Sequence, residues 1–200
     1  MPRTQESSLL APRNLVLCAM VALAVGYRLL VHFAAGALPL SLWNFMPFEA
    51  IALFGGAYFA SRKLAVAVPL AAMALADAVI AFSLPTSQVS DWLDIAPVIY
   101  TCYTLTAFAG FALRGRVRVL NTAVAALASA TGFYLITNFF VWLAGTMYPH
   151  NFAGLMTCYV AGWPFYEHGT LPGTLFWSTL LFGSFALLRQ RYPVLRTATA

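Results

Sequence analysis

The stretch "WNFMPFEAIALFGGAYFASRK", residues 43–63, sets an apolar run between Glu49 and the basic pair Arg62-Lys63. Similar runs recur along a chain of 200 residues in which 62% are hydrophobic and 8% are charged, with a mean hydropathy of +0.80. A soluble domain of this size could not bury that much apolar surface. The composition therefore predicts an integral membrane protein.

The apolar runs have the length of helices, because a helix needs about 20 residues to cross ~30 Å of hydrocarbon, whereas barrel strands are shorter and alternate. The sequence thus predicts an all-α fold, with residues 1–200 forming one bundle of six transmembrane helices. The second is short and contains Gly55-Gly56, so we expect it to be tilted, distorted or supported by its neighbours. The expected spans cover residues 14–34, 46–60, 64–84, 96–113, 119–144 and 170–188.

The basic residues predict the orientation, since Lys and Arg accumulate in short cytoplasmic segments. They precede the first expected span, separate the second from the third and the fourth from the fifth, and follow the sixth. They are Arg3, Arg13, Arg62, Lys63, Arg114, Arg116, Arg118, Arg189, Arg191 and Arg196. We therefore expect a multi-pass protein of the inner membrane with both termini in the cytoplasm. This topology accounts for the net charge of +5 without a nucleic-acid partner.

Polar residues converge in the outer half of the expected bundle. Arg28 and Asp77 lie at similar depth in the first and third spans, Asn138 reaches a comparable depth in the fifth, and Asn44 and Glu49 enter at the head of the second. Intramembrane charges are costly unless they are paired or face water, so this set predicts a substrate-binding cavity open to the outside. We expect Asp77 to pair with Arg28. Alternatively, these two only tie helices together, and Glu49 only favours the positive end of a helix dipole.

Two further segments could complete such a cavity. On the fifth helix, Asn138 and Trp142 share a face, because residues four apart are neighbours on a helix. The segment 151–166 has the pattern of an amphipathic or re-entrant helix ending near Pro164, and it could close the cavity as a lid with rings from Tyr148, Trp163 and Tyr166. The alternatives are an interfacial aromatic belt, an interhelical hydrogen bond from the asparagine, and a helix resting on lipid.

The sequence contains no P-loop, HExxH, GxSxG or convincing GxGxxG motif, so we expect neither an enzyme nor a bound cofactor. His150, Glu167 and His168 are metal-ligand types, but their spacing matches no standard site and loop polarity explains them better. On the first helix, Cys18, Ala22 and Gly26 form a stripe of small residues suited to close packing against another helix or a partner protein.

Several segments carry a resemblance to a known family. With Arg28, they resemble an uncharacterised bacterial membrane family of candidate transport proteins, which is similar in size and layout to the S components of energy-coupling-factor vitamin transporters. The resemblance covers nearly the whole chain. The segments are "NFMPFEAIALFGGAYF" at 44–59, "VPLAAMALAD" at 68–77, "TNFFVWLAGTMYP" at 137–149, "CYVAGWPFY" at 158–166 and "LFWSTLLFG" at 175–183.

The resemblance implies an S-component-like bundle that takes up a vitamin-like or other small molecule from the outer side. It also implies docking of a membrane scaffold protein through the first helix, with energy from partner ATPases. The family often places Asp where this chain has Thr174. Two other functions stay open: an accessory or assembly protein whose polar cluster is structural, and a membrane-embedded enzyme using Glu49, Asp77 or a histidine as acid or base.

Overall fold

The computed structural model describes residues 11–34 and 44–196, and within these ranges the chain is helical with no β-strand. The prediction of an all-α fold is therefore confirmed. The helices are α1 (Pro12–Phe33), α2 (Phe48–Tyr58), α3 (Arg62–Ala81), α4 (Thr86–Ala112), α5 (Val119–Ala144), α6 (Phe152–Phe165) and α7 (Leu171–Arg191). In the part of the chain that the structure describes, five helical stretches are long and apolar enough to cross a membrane: α1, α3, α4, α5 and the continuous stretch from α6 to α7.

Apolar side chains cover the outside of the bundle as well as its core. Leu23 on α1 is 77% exposed and Leu120 on α5 is 72% exposed, and large apolar residues are exposed on the other long helices too. In water such a surface would drive aggregation, whereas hydrocarbon solvates it. The structure thus agrees with the expectation of a multi-pass membrane protein.

The short helix α2 lies at the centre of the bundle. All of its residues are buried, and it packs against α1, α3, α4, α5 and α7. A helix that is apolar on every side is stable only when protein or lipid covers each face, and here protein covers them all. Of the three alternatives expected for the short second helix, the structure shows support by its neighbours, and the physical reason is its central position.

Glycines allow α2 to pack closely against α4. A Cβ atom on Gly56 would lie 2.9 Å from the Cα atom of Gly110, and a Cβ atom on Gly110 would lie 2.9 Å from the Cα atom of Gly56. Real Cβ atoms do not approach other atoms so closely, so neither position accepts a side chain without a shift of backbone. On another side of α2, a Cβ atom on Gly55 would lie 2.9 Å from the carbonyl oxygen of Ala65 on α3.

Arginines donate hydrogen bonds to the carbonyl groups at the end of α2. The last carbonyl groups of a helix have no partners within the helix itself. The Arg114 guanidinium donates to the carbonyl oxygens of Gly56 at 2.9 Å, Phe59 at 2.8 Å and Ala60 at 3.3 Å. Arg13 donates to the carbonyl oxygen of Tyr58 at 2.7 Å. Burial, together with the nearby charge of Arg62, lowers the pKa of Arg114. These contacts explain how a short helix can end inside the bundle.

The two ends of the bundle carry opposite charge. Apart from Arg28, the described basic residues lie where α1 and α3 begin, between α4 and α5, and from the last turn of α7 onward; we call this the basic end. The start of α1 meets the segment after α7 there, because Arg13 also donates to the carbonyl oxygen of Leu195 at 3.4 Å. The described acidic residues, Glu49, Asp77, Asp91, Asp94 and Glu167, lie at the other end, which we call the acidic end.

Two helix boundaries differ from the sequence-based expectation. Helix α4 begins at Thr86 instead of residue 96, so Asp91 and Asp94 lie on its exposed first turns and not in a loop. Helix α6 is present as expected, but it does not stop near Pro164. It continues through a π-helical segment, Tyr166–Thr170, into α7. A wider π turn can absorb the backbone change that a proline imposes on a helix.

Candidate functional site

An ion pair between α1 and α3 forms the centre of the candidate site. Arg28 Nη2 lies 2.7 Å from Asp77 Oδ1, and the Tyr100 hydroxyl on α4 donates to Asp77 Oδ2 at 2.7 Å. The two side chains of the pair are 20% and 11% exposed. The expected pairing of Arg28 with Asp77 is therefore present in the structure. Both carboxylate oxygens of Asp77 are engaged, while the buried Arg28 Nε has no hydrogen-bond partner among the described residues.

Aromatic rings surround the ion pair. The Arg28 guanidinium lies over the Phe48 ring at 4.8 Å from its centroid, in the geometry of a cation–π contact. Phe48 packs against Tyr103 at a centroid distance of 5.4 Å, and Tyr103 stacks on Phe133 with an interplanar angle of 7°. Trp92 meets Tyr100 edge to face. The site thus combines fixed charges with flat apolar walls.

Glu49 brings a second carboxylate to the same place from the first turn of α2. It is 3% exposed, and the Thr174 hydroxyl on α7 donates to its Oε2 at 3.4 Å. The same hydroxyl makes a shorter hydrogen bond, 2.8 Å, to the carbonyl oxygen of Thr170. The Glu49 carboxylate is therefore held less firmly by the protein than that of Asp77. Its place in the first turn also suits the helix dipole, so the dipole and cavity interpretations of Glu49 are compatible.

Two adjoining cavities meet at the ion pair. One, of about 250 Å³, is lined by Arg28, Asn44, Glu49 and Asp77 together with the rings of Phe48, Trp92, Tyr103 and Phe133. The other, of about 260 Å³, extends toward the ends of α1 and α3 and is lined by His32, whose Nε2 lies 2.8 Å from the Ser83 hydroxyl. Both include Arg28 and Asp77, and both include Met46 and Trp92. Four of the predicted site residues therefore share one cavity.

The structure does not bring Asn138 and Trp142 to that cavity lining. Asn138 Nδ2 donates to the carbonyl oxygen of Tyr134 at 2.8 Å, one turn back on α5, and its amide faces Gly162 on α6. Trp142 Nε1 donates to the carbonyl oxygen of Pro149 at 2.9 Å. Both side chains thus contribute to the junction of α5 with the segment that follows it.

The other predicted aromatic residues lie on this same side. Tyr148 is half-buried in the connection between α5 and α6. Trp163 is 48% exposed, and its Nε1 donates to Glu167 Oε2 at 2.7 Å. Tyr166 is buried, with its hydroxyl 2.8 Å from that of Thr131 on α5. Helix α6 packs along α5, and from this part of the chain it is Thr170, in the π segment, that lines the cavity. A lid role for the segment 151–166 stays a prediction.

Sequence reasoning missed the contribution of α4 to the site. Trp92 and Tyr100 line or support the cavity, and they lie eight residues apart, which places them on one face of a helix. The expected fourth span began at residue 96, so Trp92 lay outside it. The aromatic residues at helical spacing were the signal that the helix begins earlier.

No cluster of three or more His, Cys, Asp or Glu side chains suited to a metal ion occurs within residues 11–34 and 44–196. His150 Nε2 lies 3.1 Å from the carbonyl oxygen of Gly145. The small-residue stripe on α1 is partly open: Ala22 and Gly26 are exposed, and a Cβ atom added at Gly26 would meet nothing within 4 Å. That face of α1 is available for a partner or for lipid.

We expect Asp77→Ala to lower the free energy of unfolding by about 2 kcal/mol, because the Arg28 guanidinium would lose its counter-ion in a partly buried position. Denaturant or thermal unfolding in detergent measures this. Asp94→Ala removes an exposed carboxylate at the same end and should change stability by no more than about 0.5 kcal/mol. Equal effects in the two variants would contradict a stabilising ion pair.

A substitution at the junction of α5 and α6 should also change the stability of the protein. A Cβ atom at Gly162 would collide with the Asn138 amide, so Gly162→Ala should cost about 1 kcal/mol despite the better helix propensity of alanine. Adding Asn138→Ala should recover most of that loss in a double-mutant cycle of unfolding measurements. Gly132→Ala is the matched control, since its Cβ atom would meet nothing within 4 Å. Additive losses would show that the two residues are not in contact.

One family model, described as "Family of unknown function (DUF6580)", matches residues 8–195. The match covers helices α1 to α7 and thus nearly all of the chain. No curated protein and no solved structure matches the chain. The comparisons therefore identify a family without assigning it an activity.

Proposed function

The chain belongs to the DUF6580 family of unknown function, and we propose that it is a membrane transport protein that binds a small molecule in the cavity at the acidic end. The main support for this proposal is that three helices bring charged side chains to one cavity in an otherwise apolar bundle. These side chains are Arg28, Glu49 and Asp77. Charges inside a membrane protein are costly and usually mark a path or a site. Binding and uptake of a solute would explain why the protein retains these costly charges.

The contacts of the cavity suggest a class of substrate. Arg28 has donor capacity left for a carboxylate or carbonyl group, Glu49 has acceptor capacity left for an amine or hydroxyl group, and the rings of Phe48 and Tyr103 offer flat apolar contact. Each cavity is slightly smaller than the roughly 300–1,000 Å³ typical of small-molecule sites, and together they fall within that range. We propose a compact polar molecule with a planar ring, of the size of a small vitamin or vitamin precursor.

We also propose the orientation and the mode of coupling. The basic end would face the cytoplasm, since Lys and Arg are retained there, and the cavity would open outward from the cell inner membrane. Transport would resemble that of an S component, with a membrane scaffold protein docking on the open face of α1 at Ala22 and Gly26, and with ATPases supplying energy. The exposure of both residues supports this proposal.

An accessory role is the second candidate, favoured by one observation. Both oxygens of Asp77 are satisfied within the protein, as in a purely structural ion pair. We propose a binding role rather than an enzymatic one, since each Asp77 oxygen already accepts a hydrogen bond within the protein, which disfavours Asp77 as a general base. The accessory role predicts that no small molecule raises the stability of the protein.

A ligand screen separates these candidates. The detergent-purified protein is melted with vitamins, vitamin precursors, nucleobases and amino acids, and a ligand that binds only the folded state should add ~2.7 kcal/mol at 100 times its dissociation constant. We expect one chemical class to raise the melting temperature. If no compound does so and the wild type is well folded, the transport proposal fails and the accessory role is favoured.

A further inference from the structure

A cavity lined by arginines lies at the basic end, far from the proposed substrate site. It has a volume of about 350 Å³ and is lined by Arg13, Arg114 and Arg189, together with Tyr58 and Val117. Among the residues that the structure describes, no carboxylate lines this cavity, and the acidic residues lie at the opposite end of the bundle. The guanidinium groups of Arg114 and Arg189 carry like charges beside one cavity, and an anion next to them would be attracted to both.

Arg189 has unused hydrogen-bonding capacity beside this cavity. Its guanidinium lies over the Tyr58 ring at 5.9 Å from the centroid, and its buried Nε has no hydrogen-bond partner among the described residues. Arg114 beside it is fixed by the carbonyl groups at the end of α2. Planar guanidinium groups held in place in this way suit the oxygens of a phosphate group.

An apolar groove lies next to the arginine cavity. It has a volume of about 330 Å³, runs between α5 and α7, and includes Ala126, Phe182 and Gly183 among its lining residues. Val117 lines both the groove and the arginine cavity, so the two adjoin. A ligand that fills both needs an anionic head attached to a long apolar chain.

We propose that the arginine cavity and this groove form one site for an anionic phospholipid, with the phosphate among Arg13, Arg114 and Arg189 and an acyl chain between α5 and α7. Basic pockets between membrane helices are suited to anionic headgroups, and a helix bundle in a bilayer has such lipids at hand. Inorganic phosphate would fill the arginine cavity alone and leave the groove unused. The proposal is independent of the substrate cavity at the other end.

Delipidated protein in detergent tests this site. The probes are phosphatidylglycerol, phosphatidylcholine with the same acyl chains, and inorganic phosphate, and binding is measured by native mass spectrometry and melting temperature. We expect phosphatidylglycerol to bind at least tenfold more tightly than phosphatidylcholine. Arg189→Gln should weaken phosphatidylglycerol about tenfold, as expected for loss of a charged hydrogen bond. Arg116→Gln is the matched control, since Arg116 is exposed and does not line the cavity, and it should change binding less than twofold.

Gly183→Leu tests the groove without touching a charge. A Cβ atom at this position would meet nothing within 4 Å, so the variant should fold while its side chain occupies the path of the acyl chain. We expect it to weaken phosphatidylglycerol about tenfold, and this result decides the matter if Arg189→Gln does not fold. Equal binding of the two lipids, or unchanged affinity in Gly183→Leu, would overturn the proposal. An equal thermal shift with inorganic phosphate would point to a simple anion site instead.

Discussion

Arg114→Met should lower the free energy of unfolding by about 4 kcal/mol. The substitution keeps an apolar stem but removes the donors to the carbonyl oxygens of Gly56, Phe59 and Ala60. A buried acceptor left without a partner costs about 1–3 kcal/mol, and water at the basic end can recover only part of this. Because α2 is central, weakening its end should weaken the whole bundle.

The matched control is Arg116→Met, which changes the same residue type two positions along the chain. Arg116 is exposed, and its described hydrogen bonds involve its backbone, including one from Asn121 Nδ2 at 2.8 Å to its carbonyl oxygen. We expect it to change stability by no more than about 0.5 kcal/mol in the same detergent unfolding measurement. Similar losses in both variants would mean that the basic residues matter only through net charge.

Gly56→Ala and Gly110→Ala should each cost about 3 kcal/mol, at the upper end of the range for overpacking. The added methyl group would meet backbone atoms of the facing helix, which cannot move aside as a flexible side chain can. The gain in helix propensity, about 1 kcal/mol, offsets only part of the loss. Unfolding in detergent, or the yield of folded protein, measures the effect.

A control variant and a double variant test whether the loss of stability comes from the contact between α2 and α4. Gly132→Ala on α5 adds the same methyl group where nothing lies within 4 Å, and it should leave stability unchanged or raise it slightly. Gly56 and Gly110 share one contact, so the double variant should lose less than the two single variants added together. Full stability in either single variant would show that α2 and α4 are not as close as the structure has them.

Much of the fold was predictable because the bilayer restricts the choices. Composition and the lengths of the apolar runs led to an all-helical membrane protein, and most expected spans coincide with helices. The central position of α2 was harder to foresee. Its sequence is apolar on every side, and a helix of this kind is equally suited to lipid and to a protein core, so periodicity alone cannot distinguish them.

The predicted helix boundaries were wrong where local sequence signals conflict with tertiary contacts. Asp91 and Asp94 precede the expected start of the fourth span at residue 96, yet they lie on exposed turns of α4, where a carboxylate is well solvated. Pro164 suggested a helix end, yet the π segment carries the helix onward. In both cases the local preference is weak, and packing of the helix against its neighbours outweighs it.

The candidate site was partly predictable from depth along the helices. Arg28 and Asp77 were expected to meet because an unpaired charge at that depth is costly, and they do meet. Asn138 and Trp142 share a face of α5, but spacing does not reveal what that face contacts, and in the structure it meets the segment that follows α5. The hydrogen bond of Tyr100 to Asp77 depends on the early start of α4 and was not foreseen.

We propose that the cavity containing Arg28, Glu49 and Asp77 binds the transported molecule. Equilibrium binding tests it directly, with the compound that most stabilises the wild type measured against Glu49→Gln, Asp77→Asn and the control Asn138→Ala. We expect the affinity of folded Glu49→Gln to fall about tenfold or more, as for loss of a charged hydrogen bond to the ligand. Folded Asp77→Asn should lose a similar factor, because Arg28 loses the counter-ion that holds its guanidinium in place. The affinity of the control should stay within about twofold. Unchanged affinity in both cavity variants would contradict the account.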